Sequence, residues 1–317
     1  MFYSDYVYGS MEDVFISVVI TAYNRKEFLL DAIKSAFNQT LSNNKYEIIV
    51  IKNFNDEVTD RFIDNNKIKN ILMNGTIGEF LYKGINESHG KVISFLDDDD
   101  LFLTNKLEYI YNLFEHNHNL AYYHNDYIPV DEDNKAVKFR NNDIDFNMSC
   151  ISIKKDIIPM SNLKKINMSQ DVFMYMSALD FKGKIIRNNK KFTYYKLHNS
   201  TSHSVTNNFT EYEQALIKFK NECIASFIMF RKMFKSKKAL RLIRSYITDT
   251  DLGLLLSGYV TIDKIKLNDF LIFLIYRSRP LKEKIEITIA YISIELFGTR
   301  SLKFIKKIRK HHFDEQR

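Results

Sequence analysis

The sequence predicts an α/β fold: a Rossmann-like, mostly parallel sheet with helices on both faces, followed by an α-helical C-terminal region. Three observations predict it. Short β-branched runs alternate with stretches of helical periodicity through the first two-thirds of the chain. Those runs are apolar throughout rather than at every second position, as expected of strands covered on both faces. From about Phe209 the strand signals stop and amphipathic helical patterns take over. The expected division is a sheet domain over residues 1–208 and a basic, mainly helical domain over 209–317.

Each element follows from its own residues. Val14–Thr21 (VFISVVIT) reads as the first strand. Glu27–Asn38 reads as a helix, with Phe28, Leu29, Ala32, Ile33, Ala36 and Phe37 on one side. Tyr46–Ile51 is the second strand, Asp56–Asn65 a helix and Lys69–Met73 a third strand. Ile77–Ser88 is a helix ended near Gly90, Lys91–Leu96 the fourth strand and Leu103–Glu115 the next helix. The pattern then turns mixed, with strands expected at Leu120–His124, Val137–Arg140, Ser149–Ile153 and Lys191–Leu197. Helical patterns cover Glu211–Phe234, Lys238–Thr248, Leu267–Tyr276 and Lys282–Phe297.

Composition narrows the function classes. A chain of 317 residues that is 45% hydrophobic and 14% aromatic is not a disordered one. No apolar stretch reaches the ~18 residues of a membrane-spanning helix. Cys150 and Cys223 form neither a CxxC pair nor a zinc-type cluster. The first fifteen residues lack a basic segment followed by an apolar one. The expectation is a cytoplasmic protein with reduced thiols. Charge is uneven: residues 1–214 carry 24 Lys and Arg against 29 Asp and Glu, and residues 215–317 carry 22 against 10. A basic C-terminal part suggests either an anionic membrane surface, with the protein peripheral on the inner face of the cell membrane, or a helical domain packed on the sheet domain with a solvated basic face. Nucleic acid is not an expected partner, because no stacking-aromatic motif or reading helix accompanies the charge.

In sheets of this kind ligands bind beyond the carboxyl ends of the strands. Three polar clusters fall at such ends: TAYNR (21–25), KNFND (52–56) and the four consecutive aspartates Asp97–Asp100. Like charges that close repel, so a positive partner or full solvation is required. Oxygen-rich clusters suit hard cations such as Mg²⁺ and Mn²⁺, which keep waters and bind substrate phosphates. The bland alternative is a solvated turn, with Asp100 or Thr104 capping the next helix.

VVITAYNR (18–25), NGTIGEFLYKGINESHGKVISFLDDDD (74–100), SQD (169–171) and YYKLHNSTS (194–202) together resemble glycosyltransferase family 2, inverting enzymes of the GT-A fold. The resemblance covers roughly residues 14–205 and includes Gly84, Ile85 and Gly90 of the family's helix-end pattern. It implies a nucleotide-sugar donor, with UDP first and GDP or dTDP as alternatives, a lipid-linked or glycan acceptor, and Mn²⁺ or Mg²⁺ as cofactor. It implies that Thr21, Ala22, Tyr23, Asn24, Arg25, Asn53, Gly78, Asp97 and Asp98 bind the nucleotide-sugar. It implies Asp99 and His198 as metal ligands, Asp171 as general base and Gln170 as an acceptor-positioning residue. Departures are Lys52 in place of an acid that helps hold the base, Leu81-Tyr82 in place of Arg-Asn, and Gln170 in place of the first acid of a Glu-Asp pair. They define a second reading, a catalytically degenerate domain kept as a membrane-associated assembly or binding module. For the ligand-free protein the expectation is a loose, partly disordered acidic pocket.

Overall fold

The computed structural model describes residues 14–138, 147–198, 209–257, 259, 262–277, 279–298, 300–303 and 307. They fall into two compact units, the first ending at His198 and the second containing the residues from 209 onward.

The first unit is built on strands β1 (Ile16–Ala22), β2 (Tyr46–Lys52), β3 (Lys69–Leu72), β4 (Val92–Asp97), β5 (Leu101–Phe102), β6 (Leu120–Val130), β7 (Ile151–Lys154) and β8 (Lys184–Lys196). They form one sheet in the order β3-β2-β1-β4-β7-β6-β8-β5. Pairs β1–β2, β2–β3, β1–β4 and β6–β8 are parallel, whereas β7 is antiparallel to β4 and β6, and β5 to β8. The apolar runs of β1, β2 and β4 are buried almost residue for residue, which is why they read as continuous.

The helices between them are α1 (Leu29–Phe37), α2 (Glu57–Asn65), α3 (Ile77–Asn86), α4 (Lys106–Glu115), α5 (Met160–Leu163) and α6 (Gln170–Phe181). Local chemistry sets their starts. Thr76 and Glu79 close a reciprocal capping box on α3, and the Asp56 carboxylate accepts the Thr59 N–H at 3.3 Å to cap α2. Gly84 lets α3 lie close on the sheet: a Cβ there would stand 2.6 Å from Ile51 Cδ1 and 2.7 Å from Val19 Cγ1.

The second unit contains helices α7 (Phe209–Met233), α8 (Lys237–Leu256), α9 (Leu267–Tyr276) and α10 (Leu281–Phe297). Its core joins Leu252 and Leu255 of α8, Phe270 and Phe273 of α9, and Tyr291 and Ile294 of α10. The Phe270 and Tyr291 rings stack at 4.2 Å. Among the described residues no helix is long and apolar enough to cross a membrane.

Several expectations need correction. Met148–Cys150 is a 3₁₀ turn, and the strand expected at Ser149 begins only at Ile151. β6 runs six residues past His124. β8 starts at Lys184, seven residues before the expected Lys191. Leu101–Phe102 pairs with β8, so α4 begins at Lys106 rather than Leu103. Val137 and Lys138 lie outside any strand, beyond an isolated bridge from Val130 to Ala136, and residues 139–140 of that expected strand lie outside the described residues. Also outside them are Asn199 to Ser202 of the histidine-containing motif and most of the basic run 303–312.

Candidate active site

Sheet register assembles the strand ends. Thr21 pairs with Asp97 across β1–β4, and Ala22 pairs with Lys52 across β1–β2. The carboxyl ends of three adjacent parallel strands therefore stand level. After β1 the chain turns through Tyr23, Asn24 and Arg25. Asn24 takes a left-handed φ of 55°, a conformation asparagine tolerates better than most residues. Its N–H donates to Asn53 Oδ1 at 2.8 Å, and Asn53 Nδ2 donates back to Asn24 Oδ1 at 2.7 Å. These two bonds tie the β1 turn to the β2 turn. Tyr23 is 59% exposed and meets Phe80 edge-on at 6.0 Å.

The turn Asp97–Asp100 follows β4. Arg25 reaches into it, and its Nη2 pairs with both Asp98 and Asp99, the latter at 2.6 Å. Nε donates to Asp98 Oδ2 at 3.2 Å, and Nη1 lies 3.1 Å from His198 Nε2. His198 Nε2 in turn stands 2.9 Å from Asp99 Oδ2. Burial works against the Arg25 charge, but the Asp98 bond and the charges of Asp99, Asp98 and Asp97 hold its pKa above the usual value. In place of the expected loose pocket, Asp98 and Asp99 are held by a guanidinium far upstream in sequence, while Asp97 and Asp100 have other partners.

One positive group does not neutralise four carboxylates. Burial raises Asp98 to about 6 against the pull of Arg25. Burial, then the charges of Asp100, Asp99 and Asp98, pushes Asp97 well up. Asp100 is also pushed up, by burial and then by Asp99. Below the turn lies a second set of partners. Asp100 accepts the Lys196 N–H at 3.0 Å and Asn147 Nδ2 at 3.4 Å, and Ser149 Oγ accepts the Asp97 N–H at 3.0 Å. The buried Lys106 ammonium donates to Ser149 O and to Thr193 Oγ1, the latter at 3.0 Å, and sits 3.7 Å over the Phe102 ring. Burial drives its pKa down to about 7.

The donor set fits a hard divalent cation, though incompletely. Nε2 of His198 carries either one lone pair or one proton. It can accept from Arg25 or donate to Asp99, not both. A cation held by Nε2 and the Asp99 carboxylate would use a lone pair from each. Among the described residues no group of three or more His, Cys, Asp or Glu side chains is arranged to hold a metal, so the rest of such a shell would come from water and phosphate oxygens.

The other expected residues are placed differently. Gly78 lies at the start of α3, where its N–H donates to Ile166 O at 3.0 Å. A Cβ there would stand 2.3 Å from Leu163 O and 2.5 Å from Ile166 O, so backbone packing alone requires glycine. Gln170 and Asp171 open α6, which packs on β6 and β7. The helix starts before Asp171 rather than after it, with Ser169 at the cap position, so Asp171 is a first-turn acid whose Oδ1 accepts the Val172 N–H at 2.7 Å. Lys52, the departure after β2, is buried and donates to Phe54 O at 2.7 Å and Asp60 Oδ1 at 2.8 Å. Sequence reasoning missed Lys106, Asn147 and Ser149. Lys106 did carry a signal: it shares the apolar face of α4 with Ile110 and Phe114, where a lysine needs a buried partner.

Comparison with known proteins agrees with this architecture. Residues 17–175, half of the chain, match the family described as Glycosyl transferase family 2. An uncharacterized glycosyltransferase of Rickettsia bellii is 35% identical over 136 residues, 41% of this chain and 19% of that protein. The chain spans 19–22% of the length of the first curated relatives it matches. The UDP-Glc:alpha-D-GlcNAc-diphosphoundecaprenol beta-1,3-glucosyltransferase WfaP of Escherichia coli is 26% identical over 200 residues, 58% of this chain and 77% of that protein. Among solved structures, Staphylococcus aureus TarS 1–349 in complex with UDP-GlcNAc is similar in fold, with a TM-score of 0.56 at 10% identity over 94% of this chain and 92% of that one. A parallel-dominant sheet whose strand ends gather an Asn-Arg turn and an aspartate turn, matched over half its length by the family's sequence pattern, makes this chain a member of glycosyltransferase family 2, a family of sugar-transferring enzymes.

Proposed function

We propose that the chain transfers one sugar, with inversion, from a UDP-sugar to a hydroxyl of a lipid-linked or polymeric glycan acceptor. The observation that carries this reading is the convergence of Thr21–Arg25, Asn53 and Asp97–Asp100 at three adjacent strand ends, with His198 against Asp99. UDP is favoured as the carrier because WfaP is named for UDP-Glc and the TarS structures hold UDP or UDP-GlcNAc. In this reading the catalytic domain ends at 208 and the helical domain begins at 209.

Thr21–Arg25 and Asn53 hold the nucleotide, and Asp97 and Asp98 hold the ribose side of the donor; Gly78 serves the packing of α3 instead, with its N–H bound to Ile166 O. Asp99 and His198 would hold Mn²⁺ or Mg²⁺, with the imidazole favouring Mn²⁺, and a cation bound there would supply Lewis-acid stabilisation of the charge on the departing diphosphate. Arg25, once released from Asp99, is free to make a charge-assisted bond to a phosphate oxygen. Asp171 takes the proton of the acceptor hydroxyl as its oxygen bonds to the anomeric carbon and the bond to the UDP oxygen breaks. Gln170 orients the acceptor by hydrogen bonding.

One observation favours the degenerate-module reading: the Lys52 ammonium is consumed by Phe54 O and Asp60, and it offers no acceptor to a base. The deciding experiment measures UDP release from a panel of UDP-sugars with lipid-linked acceptors, and reads the product's anomeric configuration by NMR. The expected result is an inverted product, with turnover lost in Asp99→Ala and lowered roughly 10²–10⁴-fold in Asp171→Asn. Retention of configuration, or full turnover in Asp99→Ala, overturns the mechanism. A folded chain that turns over no donor moves the assignment to the module.

A further inference from the structure

The second unit presents an apolar surface that its own core does not use. In α10, Tyr291 and Ile294 point into the core. On the other side of the same helix stand Leu281, Ile285, Ile289, Ile292 and Leu296, all exposed. Their spacing of three and four residues puts them in one stripe about 80° wide, opposite the buried face. In α9, Phe270 and Phe273 are buried while Leu267, Leu271 and Ile275 form a second stripe at spacing four. These eight side chains are 49–74% exposed. A helix with apolar stripes on two sides normally buries both. Here the outward half is left in water, which marks an interaction surface.

The charge around the stripes selects the occupant. Residues 264–303 carry eight Lys and Arg against four Asp and Glu. Lys264 pairs with Asp251, and Arg277 and Arg279 pair with Asp249. Lys266, Arg300 and Lys303 are exposed at the ends of the two helices. A second copy would bring the same positive excess face to face. An anionic bilayer complements it. The α10 stripe extends only about 22 Å at 1.5 Å per residue, so it suits a helix lying in the interface rather than crossing it.

We propose that the outward faces of α9 and α10 dock the second unit in the interface of an anionic lipid bilayer, with the isoleucine and leucine stripes in the acyl boundary and the basic side chains at the headgroups. This proposal names the face that meets the membrane and stands apart from the transferase reading, since it requires no donor or turnover.

The sequence has no Trp, so a single introduced one is a clean reporter. Ile289→Trp in the full chain is titrated with vesicles of phosphatidylcholine alone and with about 30% phosphatidylglycerol, at low and high salt. The expected result is a blue-shifted emission with the anionic vesicles, weakened by salt, and little change with phosphatidylcholine. Flotation of the otherwise wild-type chain with the same vesicles is expected to fall about tenfold or more in Ile285→Ser/Ile289→Ser/Ile292→Ser, whose circular dichroism is unchanged. Emission unaltered by either vesicle overturns the proposal, as does equal binding to both. A dimer by light scattering that the triple variant dissolves, without vesicle binding, overturns it in favour of a second copy.

Discussion

Asp249 in the second unit and Asp98 with Asp100 in the first are all carboxylates taken out of water, yet they are balanced in opposite ways. Asp249 faces two guanidiniums, with Arg277 Nε at 2.8 Å and Arg279 Nη2 at 2.9 Å. Burial works to raise its pKa, but the charges of Arg277 and Arg279 outweigh it and hold the carboxylate below its usual value. The aspartate turn has Arg25 and, deeper, Lys106, for four carboxylates. Its members are pushed up instead. A cluster whose charges cancel holds a fold together. A cluster left short of positive charge is costly to keep empty, and in the proposed function that is the opening for a cation.

The comparison can be broken or sharpened by substitution. Asp249→Ala should have the largest effect, because it removes the carboxylate that two poorly solvated guanidiniums share, leaving Arg279 to Glu283; a loss of about 3 kcal/mol is expected in urea unfolding at neutral pH. Since the folded pKa of Asp249 is depressed, that stability is present above the unfolded value and lost as pH falls through the folded one. Variant and wild type should therefore converge in acid. A gap that stays constant with pH would contradict the ion-pair account.

Asp100→Asn should act in the other direction. Its folded pKa is raised, so the favourable term is present below the unfolded value and lost as pH rises through the folded one. The variant keeps an acceptor for the Lys196 N–H. It should match wild type near pH 4 and exceed it at pH 8 by an amount on the order of 1–2 kcal/mol. A variant less stable than wild type at pH 8 would show that Asn147, Ser149 and Lys106 already balance the turn.

Arg25→Gln should change stability least near pH 5, by about 1 kcal/mol, because Asp98, already raised to about 6 by burial, is largely protonated there and loses little with the guanidinium. The informative readout is Mn²⁺ affinity measured by isothermal titration. Removing the guanidinium from Asp99 and His198 should tighten Mn²⁺ binding alone while weakening binding of the diphosphate. Equal weakening of both would mean that Arg25 orders the aspartates rather than competing with the cation.

The parts of this picture that were legible in sequence share a local signature. β1, β2 and β4 are continuous apolar runs, and the polar clusters at their ends are contiguous in sequence. The first half of β8, KIIRNNK, is polar and largely exposed, and it holds its place by pairing with β6, which no local pattern encodes. The 3₁₀ turn at Met148–Cys150 sits in an apolar stretch that mimics a strand. At the site, the aspartates and the Asn-Arg turn were visible as residues. Their mutual grip was not, because Arg25 meets Asp98 across 73 positions and Lys106 meets Thr193 across 87. Pairings of that span are set by the sheet order, not by spacing.

In the proposed function the aspartate turn binds a divalent cation together with a nucleotide diphosphate. The most direct measurement is thermal unfolding of the full chain with UDP, GDP, dTDP or CDP, each with Mn²⁺, with Mg²⁺ and with EDTA. A ligand at ~100 times its dissociation constant adds about 2.7 kcal/mol to stability. The expected result is such a gain with UDP and Mn²⁺, and its loss with EDTA and in Asp99→Ala. A well-folded chain that no nucleotide stabilises, with or without metal, would contradict it.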